Sequence, residues 1–565
     1  MHRTTTLRRR TATGLIAGVV SLGVILTGCT AGGEKPNAAD SKQQLDPAGD
    51  INAMPASDVD QGGELRFPLQ SFPPNWNYNE LDGTLGDTST VMSALIQSPF
   101  RIGLDGAPEL NEDLLVSAEA TSDDPLVVEY TIQDAAGWSD GTPITWKDFE
   151  ATFTAMNGLN EEYLLADSTG YSSIGTVTQG ATEKDVVVTY ATPFADWKSL
   201  FAPLYPASQI GTPEGFNTAY ADAIPVTAGP FKVEKLDVSA RTLAIVPDEN
   251  WWGDAPKLDR IVFIALDGEA DIDAYLNDEI DLVAAGTSER YARVADADDT
   301  DLRAAPSSTY THVDFSSQGI LKDKEIRLAV QKSIDRQSLA DVLIGDLPYD
   351  IPLLGNHIML GTDAGYVDNA GDAGSFDPKG AATILDDAGW TGGDAEGAVR
   401  SKDGKDLEFG ITIPAGATAS SQMAQVIQSQ LAAVGIKLNI NEVASDAFFE
   451  DNVTPGAFDM TIFLWGGTGY YAAGASIYQS GDTGQNFGRI STPEIDAVLD
   501  KVLVEPEVDA ANKLWNEIDV LVWEEGHSMP VIQSPRIIAI DSAIANYGAR
   551  PGASDIDWKI VGFTK

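Results

Sequence analysis

The sequence predicts an α/β protein built from more than one domain. Strand-like runs rich in Val and Tyr, such as 126–132 and 185–191, alternate along the chain with amphipathic helical patterns. Within 422–443, apolar residues at helical spacing give way, after Gly435, to strict apolar–polar alternation, so a helix feeds a strand. About 500 residues follow the N-terminal segment, too many for one hydrophobic core, and two or three domains are therefore expected.

The first 28 residues have the pattern of a secretory signal peptide. Four arginines precede an uncharged, mostly apolar run over 14–28, which is shorter than the roughly 20 residues that span a bilayer. Cys29, the only cysteine of the 565 residues, follows directly, and Leu26–Cys29 resembles the bacterial lipobox. The resemblance implies cleavage after residue 28 and acylation of Cys29, whereas the alternative is a buried structural cysteine at a cleavage site. Two acyl chains anchor a protein stably where one does not, so an exported lipoprotein at the outer face of the cytoplasmic membrane is expected.

The charge balance limits the possible partners. The chain carries 36 basic and 85 acidic residues, a net charge of −49. Removing the four arginines of the signal peptide leaves 32 basic against 85 acidic residues, a net charge of −53. Such a protein is repelled by phosphate polymers and by anionic lipid headgroups. We therefore expect no nucleic-acid partner, and membrane attachment through the acyl chains alone.

Residues 29–63 are predicted to form a flexible linker between that anchor and the folded domains. They are polar, rich in Gly, Ala, Pro and Asp, and show almost no apolar periodicity. Further along, 241–247 and 258–266 are strand-like, and 324–345 has apolar residues at helical spacing. The alternation of the two element types continues to the end of the chain.

One short motif points to catalysis. Gly137–Gly141 (GWSDG) fits G-x-S-x-G, the nucleophile elbow of α/β-hydrolases. An elbow needs a strand running into the serine and a helix starting at once after it. Here the strand-like run ends near Ile132, and Asp-Gly-Thr-Pro, a turn sequence, follows Ser139 before a capping box at Thr145. The context therefore argues against a hydrolase.

Other catalytic and metal-binding signals are poor. The sequence has no P-loop and no H-E-x-x-H, and after signal cleavage it retains three scattered histidines, His312, His357 and His527. Asp and Glu are so abundant that no carboxylate pair stands out. We expect a protein without catalytic residues, cofactor or metal site.

Several segments resemble the large extracytoplasmic solute-binding proteins of the oligopeptide/dipeptide-binding type (family 5), which serve ABC importers. Residues 137–153 resemble that family's W-x-D-G-x-P-x-T-x-x-D-F sequence, and the other matches follow in the family's order. They lie at 227–236, 248–264, 277–283, 322–340, 376–390 and 422–443.

The resemblance implies a two-lobed, periplasmic-binding-protein-like α/β fold of type II, the large cluster with an extra subdomain. On the family's pattern the first lobe comprises 64–105, 222–306 and 529–565, its subdomain 106–221, and the second lobe 307–528. Hinge strands near 307–315 and 527–533 would join the lobes, which close over a ligand between them. A monomer is expected.

The resemblance fails at one position of the family's binding site. In peptide-binding members an acidic residue shortly after a Trp in the second lobe accepts the α-ammonium of the peptide. Here Trp465 is followed by Gly466, Gly467, Thr468, Gly469 and Tyr470, without an acid. Either another carboxylate substitutes, or the ligand has no free amine.

The same resemblance, with the residue types, suggests which residues contact the ligand. Glycines allow close backbone approach, and Trp and Tyr offer broad amphipathic surfaces. Each candidate has an alternative as an ordinary core or turn residue. The candidates are Trp465, Gly466, Gly467, Tyr470 and Tyr471 in the loop, Tyr310 and His312 on a hinge strand, Asn75 and Trp76 after the first strand, and Asn486 beside Phe487.

Two functions are compatible with these observations. The first is a lipid-anchored receptor that captures a small solute, a peptide by the family's default, and delivers it to an ABC permease and ATPase. The alternative keeps the fold without transport: an envelope lipoprotein that regulates envelope lipid or glycan synthesis through protein contacts. The missing acid after Trp465 is compatible with both.

Overall fold

The computed structural model describes residues 42–266, 270–393, 397–444, 447–467, 469–481 and 484–565. The expected signal peptide, the acylation site Cys29 and the linker up to residue 41 lie outside these residues. The described chain forms one compact unit from Gln43 to Lys565. Within it, no helix is both long enough and apolar enough to cross a membrane.

A four-stranded sheet forms the centre of the first lobe. Its strands are, in spatial order, Glu64–Leu69, Arg260–Ala265, Thr242–Pro247 and Phe231–Asp237. The first two strands pair in parallel and the others antiparallel. Alternate residues are buried in Glu64–Leu69 and Arg260–Ala265, whereas Thr242–Pro247 buries three residues in a row. The strand patterns at 241–247 and 258–266 are confirmed.

The subdomain has an antiparallel sheet of its own. Its strands are, in order, Leu115–Asp123, Leu126–Ile132, Asp185–Tyr190 and Ile174–Gln179. The helix Trp146–Met156 packs on this sheet and begins at the expected capping box, in which the side chains of Thr145 and Asp148 accept backbone N–H groups. The buried side chains of both sheets belong to one hydrophobic core.

A six-stranded mixed sheet connects the two lobes. Its strands are, in order, Leu282–Ala284, Ser528–Asp541, Thr300–Phe315, Met460–Gly466, Glu408–Pro414 and Lys437–Val443. The two longest strands, Thr300–Phe315 and Ser528–Asp541, run antiparallel to each other along the whole crossing. Their pairing is interrupted between Pro306, opposite Pro535, and Tyr310, opposite Gln533, at the expected hinge.

Helices cover this sheet and build the rest of the second lobe. They are Lys324–Ser333, Arg336–Ile344, Pro378–Asp387, Thr418–Ala432, Pro493–Val502 and Val508–Glu525. The predicted unit at 422–443 is confirmed, because Gly435 has a φ of +81° and separates a helix from a parallel strand. The helical pattern over 324–345 is divided in two, since Ile334 is extended and the Asp335 side chain accepts the N–H of Gln337 as the cap of a new helix.

Shorter elements complete the fold. The short helices are Gly86–Met92, Ala207–Ile210, Pro213–Thr218, Ala270–Leu276 and Ser288–Val294, with 3₁₀ turns at Ala56–Asp58, Tyr171–Ser173, Trp197–Ser199, Gly319–Lys322 and Tyr471–Ile477 and a π-helical turn at Phe448–Val453. The short strands are Gln43–Gln44, Phe100–Ile102, Pro108–Leu110, Tyr349–Asp350, Ser401–Lys402, Lys405–Asp406, Ile544–Ala545 and Gly562–Phe563.

The structure differs from the expected flexible linker over residues 43–63. Gln43–Gln44 pairs with Tyr349–Asp350, the Asn52 amide donates to the Ile544 carbonyl, and Val59 is buried. This segment therefore lies on the folded domain. Its sequence gives no apolar periodicity, because backbone and amide hydrogen bonds hold it together with two widely spaced apolar residues, Leu45 and Val59.

The exact lobe boundaries stay a prediction. Buried residues of Ala270–Leu276 and Ser288–Val294, placed in the first lobe by the sequence analysis, group with the hydrophobic core of the six-stranded sheet. The sheet is continuous through the hinge, so a core that follows it crosses any boundary drawn near residue 306.

Candidate functional site

The subdomain and the second lobe are in contact along a seam. The Ala195 N–H donates to the Leu503 carbonyl at 2.9 Å, and the Ala472 N–H donates to Oδ2 of Asp196 at 2.9 Å. The Tyr470 hydroxyl donates to the Lys198 carbonyl at 3.2 Å. These contacts describe a closed arrangement, in which residues 195–198 meet the loop after Trp465.

Trp465 lies at the end of strand Met460–Gly466, on an aromatic face of the six-stranded sheet. It is half-buried, and its ring stacks on His312 (centroids 5.8 Å apart, planes at 13°) and on Phe487 (5.7 Å, 15°). Phe463 contacts the same three rings, at 4.2 Å from His312 and 5.3 Å from Trp465. Cross-strand pairing produces this face, because His312 lies opposite Phe463 and Tyr310 opposite Trp465.

The glycines beside Trp465 keep this part of the seam open. Gly466 and Gly467 are exposed, and the Gly467 N–H donates to the Ser308 carbonyl of the hinge strand at 2.7 Å. Gly469 has a φ of +79°, and a Cβ atom added there would lie 3.3 Å from the side chain of Ile102 in the first lobe. The loop thus passes close to both the hinge and the opposite lobe, as a ligand-contacting loop requires.

His312 is buried beneath Trp465 without hydrogen bonds. Both ring nitrogens are enclosed and have no partner among the described residues. Burial, with repulsion from His357 and His527, holds the pKa of His312 well below its usual value. A neutral imidazole at this position acts as an aromatic surface that supports the Trp465 ring.

Tyr310 belongs to a buried polar network behind the aromatic face. Its hydroxyl donates to the His357 carbonyl at 2.7 Å, and the Tyr478 hydroxyl donates to the same oxygen at 2.8 Å. His357 Nδ1 lies 2.7 Å from the buried carboxylate of Asp519. This network fixes the hinge strand against the second lobe, and it places the Tyr310 side chain away from solvent.

Asn75 and Trp76 are placed in the interior of the first lobe. The Asn75 amide donates to Glu80 at 3.1 Å and to the Asn217 carbonyl at 2.9 Å, and its oxygen accepts the Asn77 N–H. Trp76 is fully buried, and its carbonyl accepts the Tyr205 hydroxyl at 2.7 Å. The structure does not bring these two residues together with Trp465.

Asn486 is likewise buried, and the hydrogen-bonding groups of its side chain all have partners within the protein. Its amide donates to the carbonyls of Gln479 and Ile490, and its oxygen accepts the Ile490 N–H. These bonds hold the turn that presents Phe487 to Trp465. The sequence analysis named Asn486, whereas the structure puts the neighbouring Phe487 ring against the aromatic face.

Three carboxylates that the sequence analysis missed lie along the seam: Asp196, Asp363 and Asp555. Burial raises the pKa of each of them, although Asp196 and Asp363 are only half-buried and Asp555 is exposed.

Each of these carboxylates accepts a backbone N–H. Asp363 accepts from Leu360 at 2.8 Å and is hydrogen-bonded to the Tyr471 side chain, while Asp555 accepts from Ile102 at 2.7 Å. Asp363 is therefore close to the loop that lacks the family's acid. No sequence signal could have singled these residues out, since they are three among 85 acidic residues.

The serine of the G-x-S-x-G motif has a structural role. The Ser139 hydroxyl oxygen accepts the Thr227 N–H at 2.9 Å, and the Ser139 N–H donates to the Thr227 carbonyl at 2.8 Å. No histidine is hydrogen-bonded to this hydroxyl in the described part of the chain. Among the described residues there is also no group of three or more His, Cys, Asp or Glu that could hold a metal ion.

Comparison with protein families identifies the chain. Residues 109–488 match the model of the bacterial extracellular solute-binding proteins, family 5 (middle region). The chain belongs to this family. It is therefore a solute-binding protein and not an enzyme, which confirms the resemblance found in the sequence and excludes the hydrolase.

One relative aligns with nearly the whole chain and another with about half of it. The oligopeptide-binding protein OppA of Mycobacterium tuberculosis is 36% identical over 550 residues, covering 96% of this chain and 92% of OppA. LpqW of the same species, named a probable monoacyl phosphatidylinositol tetramannoside-binding protein, is 30% identical over 268 residues, covering 46% of this chain and 41% of LpqW.

Solved structures confirm the two-lobed fold. The periplasmic EDTA-binding protein EppA superimposes with a TM-score of 0.83 at 26% identity, covering 95% of this chain and all of EppA. The oligopeptide-binding protein AppA from Bacillus subtilis, in complex with a nonapeptide, gives a TM-score of 0.73 at 17% identity, covering 90% of this chain and all of AppA. The second of these likenesses shows the fold alone.

Proposed function

We propose that the protein is a lipid-anchored receptor that binds a peptide-like solute between its two lobes and delivers it to an ABC permease. The relative OppA is named an oligopeptide-binding protein, and it aligns with this chain over almost its entire length. The lipobox-like sequence before Cys29 supplies the anchor, and the net charge of −49 leaves the acyl chains as the means of attachment.

The observation that carries the proposal is the half-exposed aromatic face at the seam. Trp465 is half-buried, stacks on His312 and Phe487, and is flanked by exposed glycines. In the same loop, Tyr470 and Ala472 donate to Lys198 and Asp196 of the other lobe. A flexible solute held there is shielded from water on both sides, and a few polar groups orient it. We assign Trp465, Gly466, Gly467, Tyr470 and Tyr471 as the residues that contact the solute.

The remaining candidates have supporting roles in this proposal. His312 supports the Trp465 ring, and Tyr310 fixes the hinge strand on which both lobes turn. Asn75, Trp76 and Asn486 stay predictions as ligand contacts, and their enclosed positions favour a structural role.

Binding is tested with the secreted domain, Gln43–Lys565, made without its anchor. Native mass spectrometry before and after addition of a pentapeptide pool should show bound peptides, and titration should change the Trp fluorescence of the wild type. A Trp465→Ala variant should lose both signals while keeping its circular dichroism spectrum. Absence of binding by the wild type across pools of three to nine residues would contradict the peptide assignment.

Anchoring is a separate claim with a separate test. Full-length protein expressed in an actinobacterial host should fractionate with membranes and carry a mass increase on its N-terminal peptide, since acylation adds two or more chains. The Cys29→Ala variant should appear in the soluble or secreted fraction, while Thr30→Ala should remain with membranes. Membrane retention of Cys29→Ala would contradict the anchor.

A second candidate function rests on the likeness to LpqW. That relative is named for a mannosylated lipid, and 46% of this chain aligns with it. An envelope lipoprotein that regulates lipid or glycan synthesis would leave peptide import unchanged in a deletion strain and alter the envelope lipids. Loss of growth on peptides as the nitrogen source, with unchanged lipids, would support the transport function instead.

A further inference from the structure

Two arginines lie side by side where the hinge strands cross. Arg536, on strand Ser528–Asp541, pairs with Ala305, and its Nη1 donates to the Arg550 carbonyl at 3.3 Å. The segment after Arg550 lies on the other hinge strand, because the Gly552 N–H donates to the Pro306 carbonyl at 3.2 Å. Arg536 and Arg550 are called the arginine pair below.

The arginine pair has no counter-ion within 4.0 Å among the described residues, in a chain with 85 acidic and 36 basic residues. Arg550 is only 8% exposed, its Nε is enclosed without an acceptor, and its guanidinium donates no hydrogen bond to a described residue. Burial accordingly lowers the pKa of both guanidinium groups. A buried cation without a partner is unfavourable unless another group supplies the missing negative charge.

Other buried arginines donate hydrogen bonds to backbone carbonyls, including Arg336, whose Nη1 donates to Leu354 and Pro530 although its Nε has no acceptor. Arg303, on the neighbouring hinge strand and 2% exposed, donates to the Tyr547 carbonyl and pairs with Asp301 at 3.1 Å. Arg327 donates to four backbone carbonyls of the second lobe. Arg550 differs from these arginines because its guanidinium donates no hydrogen bond to a described residue, although Tyr547 is close to all three arginines of the hinge.

The arginine pair opens onto the seam. Of its unpaired nitrogens, only Nε of Arg550 is enclosed, so the others reach solvent. Asp555, which lies near Arg550, accepts the Ile102 N–H, and the Ile102 side chain is beside Gly469 of the loop that follows Trp465. The pair therefore lies on the first-lobe side of the seam, close to Asp555, which is itself near Tyr470 of the loop.

We propose that Arg536 and Arg550 form an anion subsite at the hinge end of the cleft, which binds a carboxylate of the solute. The inference rests on the proposed function and specifies the chemistry of its ligand. A guanidinium fork matches a carboxylate in a bidentate geometry. The exposed carboxylate of Asp555 close by adds negative charge, which favours a singly charged carboxylate over a doubly charged phosphate.

This subsite accounts for the loop without an acid after Trp465. A peptide has a charged group at each end, and a receptor that holds the C-terminal carboxylate does not need a partner for the α-ammonium in that loop. The solute would then lie with its carboxylate at the hinge and its side chains along the aromatic face.

The test compares two pentapeptide pools of the same random composition, one with a free C-terminal carboxylate and one amidated. The wild type should bind the free-acid pool at least roughly tenfold more tightly, as the loss of charge-assisted hydrogen bonds predicts. Arg536→Gln and Arg550→Gln should bind both pools equally. Arg260→Gln, which removes a half-buried arginine paired with Glu64 and Glu234 on the first sheet, should behave as the wild type.

Stability separates this role from a structural one. Since neither arginine has a counter-ion, both Gln variants should melt at or above the wild-type temperature, whereas a structural arginine would lower it on removal. Equal binding of the two pools by the wild type, retained discrimination in the Gln variants, or a large loss of their stability would overturn the proposal.

A second experiment tests the anion subsite even if no peptide binds. At constant ionic strength, acetate should raise the melting temperature of the wild type and of Arg260→Gln more than chloride does, and should have no such effect on Arg536→Gln or Arg550→Gln. That result without peptide binding would refute the peptide function and retain the subsite. No acetate effect, or a larger effect of phosphate, would refute the subsite as stated.

Discussion

Two segments that the family resemblance placed at the ligand turn out to be opposite in character. Asn75 and Trp76 are enclosed in the first lobe, and every polar atom of the Asn75 side chain is bonded within the protein. The segment Trp465–Tyr471 combines a half-exposed stacked indole with exposed glycines and two half-buried tyrosines. Both segments place an amide or a glycine beside an aromatic ring, but the surroundings of the two segments differ.

The difference shows what a ligand-contacting residue needs besides its chemistry. A side chain with all its partners inside the protein has no unsatisfied group left for a solute, and its loss is felt in folding. A side chain that is held in place on one face and open on the other can exchange water for a ligand without reorganising. Trp465 meets the second condition and Asn75 the first.

The largest expected effect is a loss of folding stability at the enclosed segment. Trp76→Ala removes a fully buried indole and should lower the free energy of unfolding by about 3–5 kcal/mol. Chemical denaturation measures the change, and peptide affinity, scaled to the folded fraction, should stay within a factor of two or so. A loss of affinity with unchanged stability would place Trp76 at the ligand after all.

The second largest effect is on binding rather than on folding. Trp465→Ala should weaken peptide binding roughly 30-fold or more, the range of an aromatic hot spot, because it removes the stacked surface of the cleft. The free energy of unfolding should fall by less than in Trp76→Ala, since Trp465 is only half-buried. Trp251→Ala, a half-buried indole of the first lobe, is the matched control and should bind normally; weakened binding by that variant would remove the distinction.

Behind the aromatic face, Asp314 makes the second lobe sensitive to pH. Burial raises its pKa from 3.8 to about 8. Between pH 3.8 and about 8 the carboxyl of Asp314 is ionised in the unfolded chain but still protonated in the native state. The free energy of unfolding therefore falls as pH rises, by at most about 1.4 kcal/mol per pH unit. Asp314→Asn should therefore melt above the wild type at pH 8, with a difference that shrinks toward pH 4. A difference independent of pH would contradict the buried neutral carboxyl.

The histidines of the hinge give the opposite dependence at lower pH. Burial is the main cause that lowers the pKa of His527 from 6.5 to about 3. Its contribution to stability is complete above pH 6.5 and is lost as pH falls toward 3, because the unfolded chain then binds a proton that the native state excludes. His527→Gln should therefore be less sensitive than the wild type to acid between pH 6 and 4 in thermal melts, and an unchanged acid sensitivity would contradict this assignment.

The smallest effect concerns closure. Asp196→Ala removes the acceptor of the Ala472 N–H across the seam and should weaken peptide binding about three- to tenfold, the range of one ordinary hydrogen bond that still reaches solvent, without altering stability much. Glu161→Ala, an exposed acid of the same subdomain, should have no effect. An affinity of Asp196→Ala equal to that of Glu161→Ala would show that this contact does not hold the lobes together.

Local patterns predicted most of the elements and, through the family resemblance, the architecture. The strands at 126–132 and 185–190 and the helix–Gly–strand unit at 422–443 depend on neighbouring residues, and they were read correctly. The break at Ile334 was missed, because the capping role of Asp335 overrides a continuous apolar pattern. The docking of residues 43–63 was missed, because its partners are distant in the sequence.

The candidate site was predictable only in part. The aromatic and glycine content marked Trp465–Tyr471 as a special loop, but the stacking of Trp465 on His312 arises from strand pairing across 153 residues of sequence. The seam carboxylates and the arginine pair depend on which charged residues remain without partners. That property exists only in the folded chain.

The central claim is that a solute binds between the lobes against the Trp465 loop. Hydrogen–deuterium exchange of the domain Gln43–Lys565, with and without the free-acid pentapeptide pool, tests it most directly. We expect slower exchange on binding at 463–472 and at 195–198, and no change at 75–77, which is already enclosed. Protection at 75–77 alone, or none at the loop in the presence of bound peptide, would contradict it.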